Sequence, residues 1–278
     1  MHRQSIEPIM IFTMATNPLI SIVIVNFQSV WSLSLALESL FSREHEMNSF
    51  EVLVFNNDSN EKRVLEQLSR SLPFRLIQSE KNIGFGQGVN QAVAQARGSL
   101  LGFLNPDTRW LRESLLEIHQ FVINQSRETV LGLRLVDENG APERFSNGLA
   151  PTFPLLFRNK LTSVFDDTRN SRLEKNIDWV SGGGMFLSKK LFLSLGGFDA
   201  DYFLYFEDVD LCLRAKKEGT FILCDPRFSL EHSGGKSFSS REAQKSLYYK
   251  AQDIYFQKHR SKGELFLLRL FHQVLKRV

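Results

Sequence analysis

The sequence predicts an α/β fold, a parallel sheet with helices on both faces, and two observations predict it. Four short apolar runs, "ISIVIV" (20–25), "EVLVF" (51–55), "FRLIQ" (74–78) and "LLGFL" (100–104), have the length and hydrophobicity of buried strands. Helix-period segments separate them at "WSLSLALESLF" (31–41), "EKRVLEQLSRSL" (61–72) and "GQGVNQAVAQA" (86–96), and strands alternating with such helices make βαβ units. With 278 residues, 42% of them hydrophobic, the chain can bury a full core around that sheet.

Residues 1–18 precede the first strand. Their apolar patch, Ile9 to Phe12, is too short for a secretory signal, so they read as a poorly ordered leader with Met14 as an alternative start. The fourth run stops abruptly at "NPD". Pro106 has no N–H for a ladder and pushes Asn105 towards extended geometry, so the strand ends there and Asp107 leaves its carboxyl end. In isolation, Asp107 could simply open a turn or cap the helix expected of "LRESLLEIHQFV". Residues 137–176 change character, with "DENGAPERFSNGLAP" followed by the aromatic-rich "TFPLLFRNKLTSVF", and read as a long, partly mobile excursion over a site. Order returns with a strand at "DWVSGGGMFLS", a helix, a second helix at "FEDVDLCLRAKKEG" and a strand at "TFILC".

Composition excludes several classes. A formal charge of +3 argues against a general nucleic-acid binder, although residues 241–278 hold nine Lys/Arg against three Asp/Glu. Cys212 and Cys224 have neither metal-ligand spacing nor a framework of pairs, which points to a reducing, cytoplasmic compartment. No run of eighteen apolar residues suggests a transmembrane span.

In a doubly wound sheet, ligands bind outside the carboxyl ends of the strands. Asn26 follows the first strand there, and "NND" (56–58), ending in Asp58, follows the second. "SEKNIGFGQGVNQA" follows the third, with Gly84, Gly86 and Gly88 permitting close backbone approach and a helix start offering free N–H groups to an anion. It is no dinucleotide fingerprint, because Val89 stands three after Gly86 and five residues separate Gln78 from Gly84. Further on, Glu207, Asp208 and Asp210 open a helix behind Tyr202, Tyr205 and Phe206. Acids favour helix N-termini, and an i,i+4 pair with Arg214 accounts for Asp210 better than for Asp208. His232 stands in a Gly/Ser-rich loop just past a strand, where a histidine is most often only a surface residue.

Each signal is weak alone. Their order, from strand–Asn through "NND", "NIGFGQGVNQA", "LNPDT", "SGGGMFLSKKLFLSLGGFD" and "YFEDVDLCLRA" to "EHSGG", resembles glycosyltransferase family 2 and its rhamnosyltransferase-like branch over residues 19–238. The resemblance implies a GT-A fold: a mostly parallel central sheet with helices on both faces, a nucleotide-binding half at about 19–110 and an acceptor-binding half at about 111–238. Residues 239–278 would form a basic C-terminal helical extension. It also implies an inverting, metal-dependent transfer of a sugar from a nucleotide-sugar donor, dTDP-L-rhamnose first and a UDP-hexose or UDP-N-acetylhexosamine second. The acceptor would be a glycan or lipid-linked glycan of a bacterial surface polysaccharide. Rival readings are a catalytically silent sugar-binding relative and, on the basic tail alone, a nucleic-acid binder.

By the same resemblance Asp58 corresponds to the acid at the base or ribose, and Asn26, Asn82, Gly84 and Asn90 lie along the nucleotide. Asp107 matches the last acid of a D-x-D metal motif whose first position is here Asn105, and His232 is the additional ligand of Mn²⁺ or Mg²⁺. Gly183, in the Gly182–Gly184 turn, lets sugar and acceptor approach the backbone, with Trp179 or Asp178 on the sugar. Asp208 is the general base, with Glu207 beside it as the alternative.

In the tail, Leu267, Leu270, Phe271, Val274 and Val278 share one helical face, and Arg269, His272, Gln273 and Lys276 the other. The segment 263–278 would lie on an anionic membrane surface, on the inner face of the cell membrane, or pack on its own domain or a second subunit.

Overall fold

A computed structural model describes residues 17–43, 48–111, 114–143, 146–162, 177–233 and 240–275. Nearly all of the expected leader lies outside them, as do residues 144–145 and 163–176 of the expected excursion and the chain's last three residues.

The first half of the chain runs β1 (Ile20–Asn26), α1 (Val30–Arg43), β2 (Phe50–Asn56), a 3-10 turn (Ser59–Glu61), α2 (Lys62–Leu68), β3 (Phe74–Gln78), α3 (Phe85–Val93), β4 (Leu100–Leu104), β5 (Thr108–Trp110) and α4 (Leu115–Ile123). The second half continues with β6 (Thr129–Val136), β7 (Asn147–Gly148), α5 (Phe153–Thr162), β8 (Trp179–Val180), β9 (Gly184–Ser188), α6 (Lys189–Ser194), α7 (Glu207–Lys217), β10 (Phe221–His232), α8 (Arg241–His259) and α9 (Lys262–Leu275). The four apolar runs of the sequence are β1 to β4.

Eight strands form one sheet in the order β3-β2-β1-β4-β9-β6-β10-β5. The neighbours among β1 to β4 are parallel, as are β6 and β10, whereas β9 runs antiparallel to both β4 and β6, and β5 antiparallel to β10. The single strand expected across "DWVSGGGMFLS" is therefore two: β8 pairs with β7 in a small second sheet, a turn follows at 181–183, and β9 enters the main sheet.

Alternate residues of β1 serve opposite cores, as strand geometry requires. Ile20, Ile22 and Ile24 pack with Leu33, Leu37 and Leu40 of α1 and with Leu115 and Ile118 of α4. Val23 and Val25 face Val89, Ala92 and Val93 of α3, together with Phe192 of α6 and Leu211 and Cys212 of α7. Burial on both faces is why these strands read as unbroken apolar runs. A third cluster joins Tyr202, Phe206 and Val209 to Ala251, Tyr255 and Phe256 of α8 and Leu268 of α9, so the C-terminal helices share a core with the start of α7. Cys212 and Cys224 are both buried. Among the described residues no helix is long and apolar enough to cross a membrane.

At the opposite edge from the strand ends, buried Glu51 ties β1, β2 and the entry to β4 together. It accepts from the Ser21 hydroxyl at 2.7 Å, the Arg97 N–H at 2.6 Å and the Arg97 guanidinium at 2.9 Å. Burial alone would raise its carboxyl pKa, but these hydrogen bonds and the Arg97 charge hold it below the usual range. Glu51→Gln is expected to cost about 1–3 kcal/mol at pH 7, read by urea unfolding. A lowered folded-state pKa contributes stability above the unfolded-state value and loses it as pH falls, so the difference between the two proteins should shrink steadily towards pH 3.

Candidate active site

Strands β1, β2, β4, β6 and β10 end on one edge of the sheet, and reversed β9 begins there. The end of β4 builds the first part of the site. The Asn105 carbonyl accepts from the Thr108 N–H at 3.3 Å and its hydroxyl at 2.7 Å, making Pro106 and Asp107 the centre of a tight turn. β5 then runs back beside β10 with Thr108 opposite His232, and Asp107 Oδ1 lies 3.3 Å from His232 Nε2. His232 is thus the last residue of β10, not a loop residue as expected, because pairing with β5 extends the strand to that point.

Glu143 completes this group and was missed in the sequence. Its N–H donates to the Leu135 carbonyl at 2.9 Å, and its Oε2 lies 2.8 Å from His232 Nδ1. The two residues are 89 positions apart and Glu143 sits in an irregular stretch, so no spacing could have signalled the contact. Burial lowers the His232 pKa, but hydrogen bonds and charge from Asp107 and Glu143 outweigh it and push it up to about 10.

The donor chemistry of Asp107 and His232 fits Mn²⁺ or Mg²⁺. Adjacent donors around an octahedral ion bound at about 2.1 Å stand about 3 Å apart, close to the separation found here. No group of three or more His, Cys, Asp or Glu side chains among the described residues is placed to hold an ion.

From Asn105 the site continues into the turn between β8 and β9. Asn105 donates its N–H to the Gly183 carbonyl at 3.4 Å, and a Cβ on Gly183 would come within 2.7 Å of the Asn105 amide nitrogen. Gly182 donates its N–H to Asp208 Oδ2 at 2.9 Å, while Val209 donates to Oδ1 at 2.8 Å. Burial raises the Asp208 pKa against those two N–H bonds. Glu207 is buried, its Oε2 has no hydrogen-bond partner among the described residues, and burial with the adjacent Asp208 charge raises its pKa well above the ordinary range. Asp210 makes the expected pair with Arg214 at 2.6 Å, and His259 of α8 lies 2.7 Å from its other oxygen.

Two non-glycine residues in the left-handed region lead into these acids, Tyr205 at φ 71° and Phe206 at φ 67°. Such conformations cost about 1–3 kcal/mol each and persist only where the surroundings enforce them. Here α8 does so: the Phe206 ring packs 5.3 Å from Tyr248 and 5.2 Å from Tyr255, and the Tyr205 hydroxyl accepts from Gln244 at 2.9 Å.

In the first half of the chain, Asn26 is fully buried and donates to Asn56 at 2.9 Å and Glu61 at 2.7 Å, bracing the ends of β1 and β2. Asp58 caps the 3-10 turn by accepting from the Asn60 N–H, and Asn82 accepts from the Gly84 N–H. Asn57, not singled out in the sequence, holds this loop to β2 by donating to the Gly84 carbonyl at 3.0 Å and accepting from the Ile83 N–H at 3.2 Å. Gly84 has φ 89°, and a Cβ there would meet the Phe203 carbonyl oxygen at 2.2 Å, so its close approach is to protein backbone.

Asn90, expected along the nucleotide, instead spends both ends of its amide on the Phe198 backbone, at 2.7 and 2.9 Å, clamping α3 to the turn after α6. Asp178 is likewise committed, to the Ala150 N–H and to Lys216. Trp179 is half-buried with its indole N–H on the Leu149 carbonyl.

The model of the family Glycosyl transferase family 2 matches residues 21–196. The chain is 29% identical over 222 residues to the N-acetylglucosaminyl-diphospho-decaprenol L-rhamnosyltransferase of Mycobacterium tuberculosis, covering 72% of this chain and 69% of that protein. It is 28% identical over 207 residues to the low-salt glycan biosynthesis hexosyltransferase Agl10 of Haloferax volcanii, covering 72% and 62%. Among solved structures, the mannosyltransferase PcManGT from Pyrobaculum calidifontis, in complex with GDP-Man and Mn²⁺, superposes with a TM-score of 0.62 at 14% identity, covering 87% of this chain and 64% of that one. GalNAc-T7 with UDP, GalNAc and Mn²⁺ gives 0.63 at 16% identity, covering 87% and 48%. These likenesses show a shared fold, the GT-A type expected from the sequence.

The buried Glu207 carboxyl yields a pH prediction. A raised folded-state pKa means that stability present at low pH is lost as pH rises through the shifted value. Glu207→Gln, which cannot ionise, should therefore melt progressively higher than the parent protein as pH increases from 4 to 8, with the two converging at pH 4. Parallel melting curves across that range check it.

Proposed function

Because the chain belongs to glycosyl transferase family 2, we propose that it transfers L-rhamnose from dTDP-L-rhamnose, with inversion and with Mn²⁺ or Mg²⁺ bound, to a glycan or lipid-linked glycan acceptor of a bacterial surface polysaccharide. The likeness to an L-rhamnosyltransferase whose name includes a diphospho-decaprenol supports the sugar and the acceptor class. One observation carries the chemistry: the Asp107–His232 pair and the Asp208 carboxylate are joined through Asn105 and the Gly182–Gly183 turn at a single edge of the sheet.

Asp107 and His232 would hold the metal, and Glu143 accepts from His232 Nδ1, the arrangement that aims the other ring nitrogen at an ion. When bound, the metal neutralises negative charge that gathers on the leaving nucleotide diphosphate. The loop of Asn57, Asp58 and Asn82 receives the base and ribose, with Asn26 bracing it from beneath, while Gly183 and Trp179 border the sugar. Asp208 takes the proton of the acceptor hydroxyl as its oxygen bonds to the anomeric carbon. The bond from that carbon to the diphosphate breaks on the opposite face, so one displacement inverts the centre. The N–H bonds from Gly182 and Val209 keep the Asp208 carboxylate oriented for this role. The hexosyltransferase relative supports a second reading, the same reaction with a UDP-hexose.

Product formation from a panel of dTDP-L-rhamnose, UDP-glucose and UDP-N-acetylglucosamine separates these donors, and absence of transfer from any donor, with binding retained, would favour a silent sugar-binding protein. Two substitutions test the roles. Asp107→Asn should weaken metal-dependent nucleotide binding as well as turnover, whereas Asp208→Asn should leave donor affinity within a few-fold and lower transfer by roughly 10²–10⁴. Near-normal transfer by Asp208→Asn would move the base to Glu207. Glu143→Ala should weaken Mn²⁺ binding by about 10- to 100-fold in calorimetry, and Glu143→Gln, whose amide oxygen still accepts from Nδ1, should weaken it less.

A further inference from the structure

Exposed large apolar side chains are scattered among the described residues except on α9, where Phe266, Leu267, Leu270 and Val274 are 68, 43, 50 and 54% exposed. At 3.6 residues per turn these four fall within an arc of roughly 100°. The opposite side of α9 is the packed one. Leu268 is wholly buried, His272 stacks on Tyr249 at 4.2 Å and lies 2.7 Å from Gln252, and Arg269 pairs with Asp253 of α8 at 2.7 Å. The sequence suggested that this helix would either pack on its own domain or lie on a membrane. Arg269 and His272, placed on the outward side by periodicity alone, are turned inward against α8, and an apolar strip is left exposed among the described residues.

The strip continues onto the acceptor-binding half. Phe271 packs against Phe153 and Phe157 of α5 at 6.1 and 5.8 Å, and Phe157 is itself 42% exposed. α5 follows directly on the segment where Leu149 accepts from the Trp179 indole.

We propose that this face of α9 docks on the surface of a bilayer containing anionic lipid. Charge complementarity favours lipid over a second protein surface. Residues 241–278 carry nine Lys/Arg against three Asp/Glu, and exposed Lys262 borders the apolar strip on one side. An apolar strip edged by cations buries its side chains at the headgroup boundary while the cations meet lipid phosphates. The inference goes beyond the proposed reaction and does not rest on it; docking stands whichever donor and acceptor are used.

The test is co-sedimentation of the full chain with vesicles of 30% phosphatidylglycerol in phosphatidylcholine, compared with pure phosphatidylcholine. The parent protein should partition at least about tenfold more strongly to the anionic vesicles. Leu267→Glu/Leu270→Glu, on side chains 43 and 50% exposed, should melt with the parent yet lose at least about tenfold in binding. Equal binding by parent and variant, or no binding to either vesicle, overturns the proposal. So does a concentration-dependent dimer of the parent, abolished in the variant, without vesicle binding, which would make the face a contact between two copies of the chain. Because no sugar nucleotide enters the assay, failure here is separate from failure of the proposed transfer.

Discussion

The reversal of β9 between β4 and β6 is the constraint on which the rest of the site depends. In a wholly parallel sheet every strand begins on the edge away from the ligand, and a turn leading into a strand could not meet the end of β4. With Leu104 opposite Gly184, the preceding turn is delivered to Asn105, and its Gly182 N–H to Asp208. The register that achieves this is fixed by burial on both sides. Phe186 belongs to one core while Met185 and Leu187 belong to the other, so a one-residue slip would exchange them between faces. Packing far from the chemistry thereby fixes which glycine meets which acid.

How much of this was legible in the sequence follows from how local each cause is. β1 to β4 and the helices between them could be read because burial on both faces writes itself as unbroken apolar runs and helical spacing. The "LNPD" turn was readable because a proline ends a ladder by its own covalent structure. The place of His232 depended on pairing with a three-residue strand more than a hundred positions earlier, and Glu143 on a contact across 89 positions. Residue type misled where a polar group served packing. Asn90 looks like a ligand-binding amide but holds the Phe198 backbone, and Gly84 looks like a phosphate-loop glycine but makes room for the Phe203 carbonyl. Those partners lie in segments that carry no local sign of their destination.

The C-terminal helices looked separable because their basic composition sets them apart. Physically they are part of the machinery around the acids. The left-handed pair Tyr205 and Phe206 stores strain that its own segment cannot hold, and α8 holds it through Gln244, Tyr248 and Tyr255. His259, at the far end of the same helix, reaches Asp210 in the first turn of α7. Two points of attachment nearly the length of α8 apart fix both the approach to α7 and its first turn, so any force on the α8–α9 unit is felt at the start of the acidic helix.

That helix start holds two neighbouring acids in unlike surroundings. Both are raised by burial, but Asp208 receives N–H bonds from Gly182 and Val209, whereas one oxygen of Glu207 has no partner among the described residues. Hydrogen bonds to a carboxylate favour its charged form, and an adjacent charge disfavours a second one. The two N–H bonds therefore favour the charged form at Asp208 more than at Glu207. A carboxylate oriented by two N–H groups suits the base proposed to act on a sugar hydroxyl. The glycine turn before reversed β9 supplies one of the N–H groups that favour the charged form at Asp208.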